Sequence, residues 1–427
     1  MKNIKNFLHV LLLQGGNYLF PLVTIPIASR VFGPDLIGTF NYYTYIVSFY
    51  CMIVEFGFGY SGVRLLTRNP ENKSKIFNEI LTAKFLILFL VSLFALFYSY
   101  KFISQNDFIL FGTCYLLVLS SLCNVNWFFQ ATGDFSLITK VSLFTKFISI
   151  LLIVFFVKNK DDLLLYSLIV NIPMVLSSLF SLWYCRIKYK IRLNLPNLKD
   201  TLILIKSEMW IFLSKISSFL YTTMGVVFLG FLATSYDVGI YTSAQKIVML
   251  FISAIITPLS FIVFPALSKR FGVSVEHGLN SFRKFMPLLC MCCFGSFLFI
   301  FFFGGKVILI MMGAQFKDSI NVLNVLSFGY VFVFWGAVIG GQIVLNLKYD
   351  KQFVQMQWFV AFLSFIFNVL FLKKYGAMGL AYIWTISEFI MTFMQCVFIK
   401  YKGIRIIDWE QFKIKNMITN FKDLLRH

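Results

Sequence analysis

FMPLLCMCCFGSFLFIFFFGGKVILIMM, residues 285–312, holds one charged side chain, Lys306, in 28 residues. About 20 mainly apolar residues suffice for a helix to cross the hydrocarbon core of a bilayer. The stretch therefore reads as a membrane-spanning helix. Working outward from it, similar stretches fill most of the chain. Six precede the middle, at about 7–31, 38–60, 80–100, 108–130, 137–157 and 163–185. Five more join the first to complete the second half, at about 208–234, 239–267, 320–346, 353–372 and 376–399.

Composition agrees with that reading. Of 427 residues, 59% are hydrophobic, 13% are charged and 54 are Phe, with a mean hydropathy of +0.81. A soluble domain carries about 25% charged residues. A soluble enzyme and a disordered chain are thereby excluded. Outer-membrane barrels show short alternating strands, and these runs are long and unbroken. The fold class expected is an all-α integral membrane protein of about twelve transmembrane helices in two pseudo-symmetric six-helix lobes.

The formal net charge is +20. No basic run is interleaved with stacking aromatics outside an apolar segment, so nucleic acid is not the expected partner. Basic loops instead orient the chain. With the N-terminus inside, twenty-six Lys and Arg fall in inside segments and seven in outside ones, which places both termini in the cytoplasm. The basic segment 187–206, with Pro196, divides the chain. The expected parts are lobe 1–186, linker 187–206, lobe 207–400 and basic tail 401–427. Lys2, Lys5 and the apolar run 7–13 resemble a signal peptide, but no small-residue cleavage site follows, so an uncleaved first span is expected. The eight cysteines lie almost entirely in apolar runs and the three histidines are scattered. They read as free core thiols, with no metal site and no nucleophile–base pair.

An internal repeat supports two lobes. Residues 31–40 (VFGPDLIGTF) match 232–241 (LATSYDVGIY) at an offset of 201, with Gly38 on Gly239 and Phe40 on Tyr241. Ile46-Val47 falls on Ile247-Val248 at the same offset. Six spans per half is an even number, so both halves run in one orientation.

Polar side chains within lipid need partners or water, so polar stripes point inward. Stripes at helical spacing occur at Gln14, Asn17, Pro21 and Thr24, and at Asn41, Tyr45, Ser48 and Glu55. Others are Thr139, Ser142, Lys146 and Ser149; Ser207, Ser214, Lys215, Ser218 and Thr222; and Ser243, Lys246, Ser253, Thr257 and Ser260. Gln357, Ser364 and Asn368 mark the eleventh span, and Thr385, Glu388, Thr392 and Gln395 the twelfth. The third and ninth spans lack a stripe and are expected to face mostly lipid. Pro173, Pro258, Pro265 and Pro287 permit bending, and Gly336–Gly340 has the spacing for close helix contact.

An isolated Ser or Asn needs only an interhelical hydrogen bond. A charge at the bilayer centre costs at least about 2.5–3.5 kcal/mol. Lys146, Lys215 and Lys246 are expected to line a shared, water-filled basic cavity, with Arg30 a fourth candidate. Snorkelling, or pairing with Glu55, Glu208 or Glu388, is the alternative. Such a cavity would attract an anion such as phosphate or pyrophosphate.

The run from Pro21 through Ile25-Pro26-Ile27-Ala28-Ser29-Arg30-Val31-Phe32-Gly33-Pro34 to Gly38 resembles the Wzx-type O-antigen flippases. So do 55–64 (EFGFGYSGVR), Gly239-Ile240-Tyr241 and 243–248 (SAQKIV). These flippases belong to the polysaccharide transporter family, within the MOP superfamily that also includes MATE exporters and the lipid II flippase. The resemblance implies a MATE-like fold. It implies transfer of an undecaprenyl-pyrophosphate-linked oligosaccharide to the periplasmic leaflet of a bacterial inner membrane, by alternating access. By position and charge, Arg30, Lys146, Lys215 and Lys246 are the counterparts of cavity cations that bind pyrophosphate. Glu55 or Glu388 would exchange a coupling H+ or Na+, or form salt bridges; no other cofactor is expected. Partners would be the lipid-linked glycan, membrane lipids and other polysaccharide assembly proteins. A membrane O-antigen polymerase or ligase, and a MATE-type exporter, are the alternatives. The first calls for a large outer loop, and the second for more acids than bases in the cavity.

Overall fold

The structure, a computed structural model, describes residues 2–256, 267–413 and 416, with all their side chains except those of 2–14, 17–19, 135, 137 and 138. The expected roles of Gln14, Asn17, Thr257, Pro258, Ser260 and Pro265 fall outside the described backbone or side chains. The described residues form helices and no strands. Backbone groups in hydrocarbon must be satisfied within their own segment, and apolar helices do this. Two compact units result, Met1–Phe219 and Leu220–His427.

The first unit contains α1 (Lys2–Glu55), α2 (Phe58–Arg68), α3 (Lys73–Phe102), α4 (Gln105–Cys123) and α5 (Asn126–Thr132). It continues with α6 (Phe135–Phe156), α7 (Leu163–Lys188), α8 (Leu198–Ser207) and most of α9 (Met209–Thr222). The second contains α10 (Met224–Leu232), α11 (Ser235–Phe251), α12 (Val275–Met312), α13 (Ser319–Ile339) and α14 (Asp350–Tyr401).

A straight helix of the 54 residues of α1 would be about 81 Å long, far more than a bilayer core of about 30 Å. It is in fact two traverses, because Gly33 breaks it with φ 74° and Pro34 restarts it. Gly376, with φ 51°, breaks the 52 residues of α14 in the same way. Nine helices among the described residues are long and apolar enough to span, and α9 with α10 forms a tenth, bent by 47°. Counting α1 and α14 as two traverses each brings the total to twelve. The chain is a multi-pass membrane protein.

Within each unit, helices pack in the same order. In the first, the half of α1 after Gly33 packs on α4, and α4 packs on α7. In the second, α11 packs on α13, and α13 packs on the half of α14 after Gly376. Hydroxyls stitch both rows. Thr113 and Ser167 hydroxyls lie 2.7 Å apart, and Ser120 donates to the Met174 carbonyl at 3.3 Å. Thr385 donates to the Val325 carbonyl at 3.2 Å and Thr392 to that of Phe332 at 2.8 Å. Gly336 and Gly340 lie against Thr392 and Gln395, the close contact their spacing calls for.

Two expectations change. The basic segment 187–206 was to separate the units, but the division falls at Phe219, inside α9. The reason is local: α8 packs on α3, Phe212 stacks on Phe56 at 4.1 Å, and Arg64 pairs with buried Glu208 at 3.1 Å. The fourth span is not continuous over 108–130; it stops at Cys123 and restarts at Asn126. The third and ninth spans bury only 39% of their most apolar window, in keeping with a mostly lipid-facing placement, yet the striped fifth, over 139–156, buries still less, 17%. Polarity on a stripe is thus no measure of how much of a helix is covered, and the third span carries a buried lysine.

Gly376 also sits against the Asp237 carboxylate, which accepts the Ala377 N–H at 3.0 Å. A methyl group there meets that carboxylate on a backbone that L-residues avoid. Gly376→Ala should cost more than about 1 kcal/mol and lower the unfolding midpoint of the purified protein. Gly295→Ala, in open space within α12, should leave the midpoint unchanged or slightly raised.

Candidate functional site

In the first unit, charge is organised around a residue that carries no polar stripe. Lys84 of α3 is 2% exposed. Its ammonium donates to the carbonyls of Ser121 at 3.0 Å and Asn124 at 3.1 Å. These lie at the C-terminal end of α4, where carbonyls lack helical partners and the helix dipole is negative. A cation is the fitting cap for such an end.

Asn124 is thereby fixed where α4 stops. Its Oδ1 accepts the Asn126 N–H at 3.0 Å, and its Nδ2 donates to Glu55 Oε1 at 3.0 Å. Glu55 is the last residue of α1, beyond which Phe56 (φ 49°) and Gly57 (φ 121°) turn the chain. Two interrupted helices therefore meet at one polar junction. Lys84 lies within electrostatic reach of both Glu55 and Lys215. The Lys215 ammonium sits 5.2 Å from the centre of the Tyr60 ring, in cation–π range.

On the other side of Asn124 is a cavity of about 280 Å³ among α4, α6 and α7. Asn126, Ser142, Thr145, Lys146, Ser149 and Ser177 line it, along with Ser120, Ser178, Ser181, Pro173 and Phe20. No carboxylate does. Many of these hydroxyls already donate to backbone: Thr145 to Ser142, Ser149 to Ile169, Ser178 to Val175 and Ser181 to Ser177. A hydroxyl that spends its proton on the backbone offers lone pairs elsewhere. The wall thus presents acceptors, with Lys146 as the cationic donor.

Of the six residues singled out from the sequence, four belong to this unit. Lys146 lines the cavity, while Glu55 and Lys215 belong to the junction beside it. Arg30 is exposed, three residues before the Gly33 break, and does not line that cavity. Lys246, half-buried on α11, and Glu388, buried on α14, belong to the second unit. Glu388 has no hydrogen-bond or ion-pair partner among the described residues. Elsewhere in the second unit, five buried polar atoms have no partner among the described residues: Ser243 Oγ, Gln342 Oε1, Asn368 Oδ1, Trp384 Nε1 and Gln395 Oε1. Trp384 and Gln395 share the buried face of Glu388 on α14.

Sequence reading missed Lys84 and Asn124. The signals were a lone charge in the apolar run 80–100 and the Asn124-Val125-Asn126 interruption of the fourth span. Glu208, considered as a partner for the cavity lysines, pairs with Arg64 instead. Replacing Lys84 by Met leaves two carbonyls uncapped and Asn124 unanchored. Loss of hydrogen bonds to a charged group costs about 1.5–3 kcal/mol. Lys84→Met should lower the thermal midpoint by several degrees and Lys84→Arg by less; equal midpoints for Lys84→Met and wild type would refute the junction.

Three comparisons set this geometry among known proteins. A "Putative O-antigen transporter" of Escherichia coli (strain K12) is 23% identical over 412 residues, 93% of this chain and 96% of that protein. The lipid II flippase MurJ, in an inward closed conformation, shares the fold with a TM-score of 0.75 at 15% identity, over 99% of this chain and 92% of the other. An inward-facing MATE multidrug transporter of the MOP superfamily follows at 0.66 and 15%, over 90% and 94%. None of these names is an enzyme's. The profile of one family, described as polysaccharide biosynthesis protein, matches residues 4–271. With well over half its length matched and the fold shared throughout, the chain belongs to the polysaccharide biosynthesis protein family.

Proposed function

We propose that this protein is a flippase rather than an enzyme. Its substrate is an undecaprenyl-pyrophosphate-linked oligosaccharide of the O-antigen type. It carries the head group from the cytoplasmic to the periplasmic leaflet of a bacterial inner membrane by alternating access. The observation that carries the proposal is the acid-free, hydroxyl-lined cavity bearing Lys146, set within membrane-spanning helices. Sugar hydroxyls need acceptors and a phosphate needs cations, and such a wall supplies both. A cation exporter would want carboxylates there. Lys215, Lys246 and Arg30 are the further cations assigned to the pyrophosphate. The excess of Lys and Arg in the even-numbered connections supports a cytoplasmic placement of both termini.

In a strain lacking the native gene, the wild-type chain should restore surface polysaccharide. Lys146→Ala combined with Lys215→Ala should reduce it at least about tenfold, the effect of losing about 1.4 kcal/mol of binding, at unchanged protein level. Undiminished polymer would reject the cation assignment. Loss of the gene should leave no repeat units at the surface. Single unpolymerised units reaching the surface would instead indicate a polymerase.

For coupling, Glu388 is the stronger of the two acids. Glu55 is held by Asn124, whereas Glu388 is buried without a described partner, on the helix face that also carries the unsatisfied Trp384 Nε1 and Gln395 Oε1. Such a carboxyl suits exchange of H+ or Na+. Glu388→Gln should abolish the dependence of transport on an imposed proton or sodium gradient in vesicles, with folding intact. A gradient response equal to wild type would remove Glu388 from that role.

A further inference from the structure

The linker segment of the first unit forms a recess that the flippase reading does not use. About 480 Å³ in volume, it lies between the start of α3 and residues 190–200. Asn78 fixes its floor by donating to the Arg192 carbonyl at 2.8 Å. Its two acids share one lysine: Lys75 lies 3.7 Å from both Glu79 and Asp200. Lys190 and Arg192 also line it, and neither side chain has a hydrogen bond or ion pair among the described residues. Three cations, Lys75, Lys190 and Arg192, thus face two carboxylates, and the recess carries a net positive charge.

Lys190 holds a further sign. Its φ is +52°, a left-handed conformation that glycine adopts easily and lysine at a cost. A glycine would relieve that strain, so the ammonium is kept at the expense of the backbone. Strain of this kind concentrates where a side chain serves a ligand.

The level in the membrane identifies the ligand. The spans Pro70–Phe102 and Lys160–Lys188 both have an end here, so the recess lies where hydrocarbon gives way to headgroups. Beside it, α8 turns Thr201 and Leu204 inward and leaves apolar residues outside: Leu198 is 59% exposed, Leu202 59% and Ile203 66%, with Leu195 before them at 93%. Lys199 and Lys206 flank that row, and both are exposed. An apolar row bordered by lysines is the pattern of a helix lying in the plane of a membrane interface. Basic groups at that level favour acidic lipids.

We propose that this recess binds the phosphate headgroup of an acidic phospholipid, with its acyl chains along Leu195, Leu198 and Leu202. Lys190 and Arg192 contact the phosphate, and α8 is thereby held against the membrane surface.

Native mass spectrometry of the purified full-length protein, with phosphatidylglycerol and phosphatidylcholine offered in equal amounts, tests this. Each basic residue near an anionic surface favours binding about fivefold. Wild type should retain phosphatidylglycerol preferentially, and Lys190→Gln with Arg192→Gln should reduce that preference at least about tenfold. Lys190→Gly separates binding from folding, since it should raise the thermal midpoint while weakening the preference. Excess inorganic phosphate should not displace the lipid. An unchanged preference in the double variant would overturn the site, and displacement by inorganic phosphate would make it a site for soluble anions instead.

Discussion

An ammonium in the interior of a membrane protein must be met by oxygen, and Lys84 is met by the open end of a helix. That bond does more than satisfy a charge. By capping Ser121 and Asn124, it allows α4 to stop within the membrane-spanning region without orphaned carbonyls. Because α4 stops there, Asn124 can turn one end toward Glu55 and another wall toward the Lys146 cavity. The interrupted end of α1 is held by the same residue. Remove the cap, and both helix ends lose the group that makes their interruption tolerable.

The parts of this architecture that were readable in the sequence are those set by length and hydropathy. A run such as 285–312 can do little in a cell but cross a bilayer, so the number of traverses follows from counting. The glycine breaks were readable as well, since Gly33-Pro34 and Gly376 separate apolar runs that are too long together for one crossing. Both halves repeat one packing order, in line with the weak match of residues 31–40 to 232–241. The hydroxyl contacts Thr113–Ser167 and Thr385–Val325 show why that match is weak. Parallel helices need a small polar residue somewhere along the seam, and its identity can drift.

The site was legible only in part, and for a physical reason. Periodicity finds residues that share a helix face, and it found Lys146 with Ser142 and Ser149. It cannot find a junction made where helices stop, because Lys84, Asn124 and Glu55 lie on three different helices and no stripe joins them. Lys84 also broke the working assumption that a polar residue marks an inward stripe. It stands alone in an apolar run and is nonetheless almost fully buried, because its partners are backbone carbonyls, which leave no trace in the pattern of side chains.

The two halves also differ in how they treat buried polarity. In the first unit, donors and acceptors at the junction are matched, and the cavity beside it holds a cation with no acid on its wall. In the second, an acid is buried with no described counter-charge, and five polar side-chain atoms elsewhere in the unit lack partners among the described residues. A closed network gains rigidity from being satisfied, whereas an unsatisfied one is costly unless something arrives to complete it. Under the proposed function, the matched junction and acid-free cavity of the first unit would hold a polyhydroxylated anion, with Lys246 of the second unit as a further cation. Under the same proposal, the buried Glu388 of the second unit would respond when a small cation or a proton comes and goes. A duplicated fold can thus treat buried polarity differently in its two halves while keeping one packing plan for both.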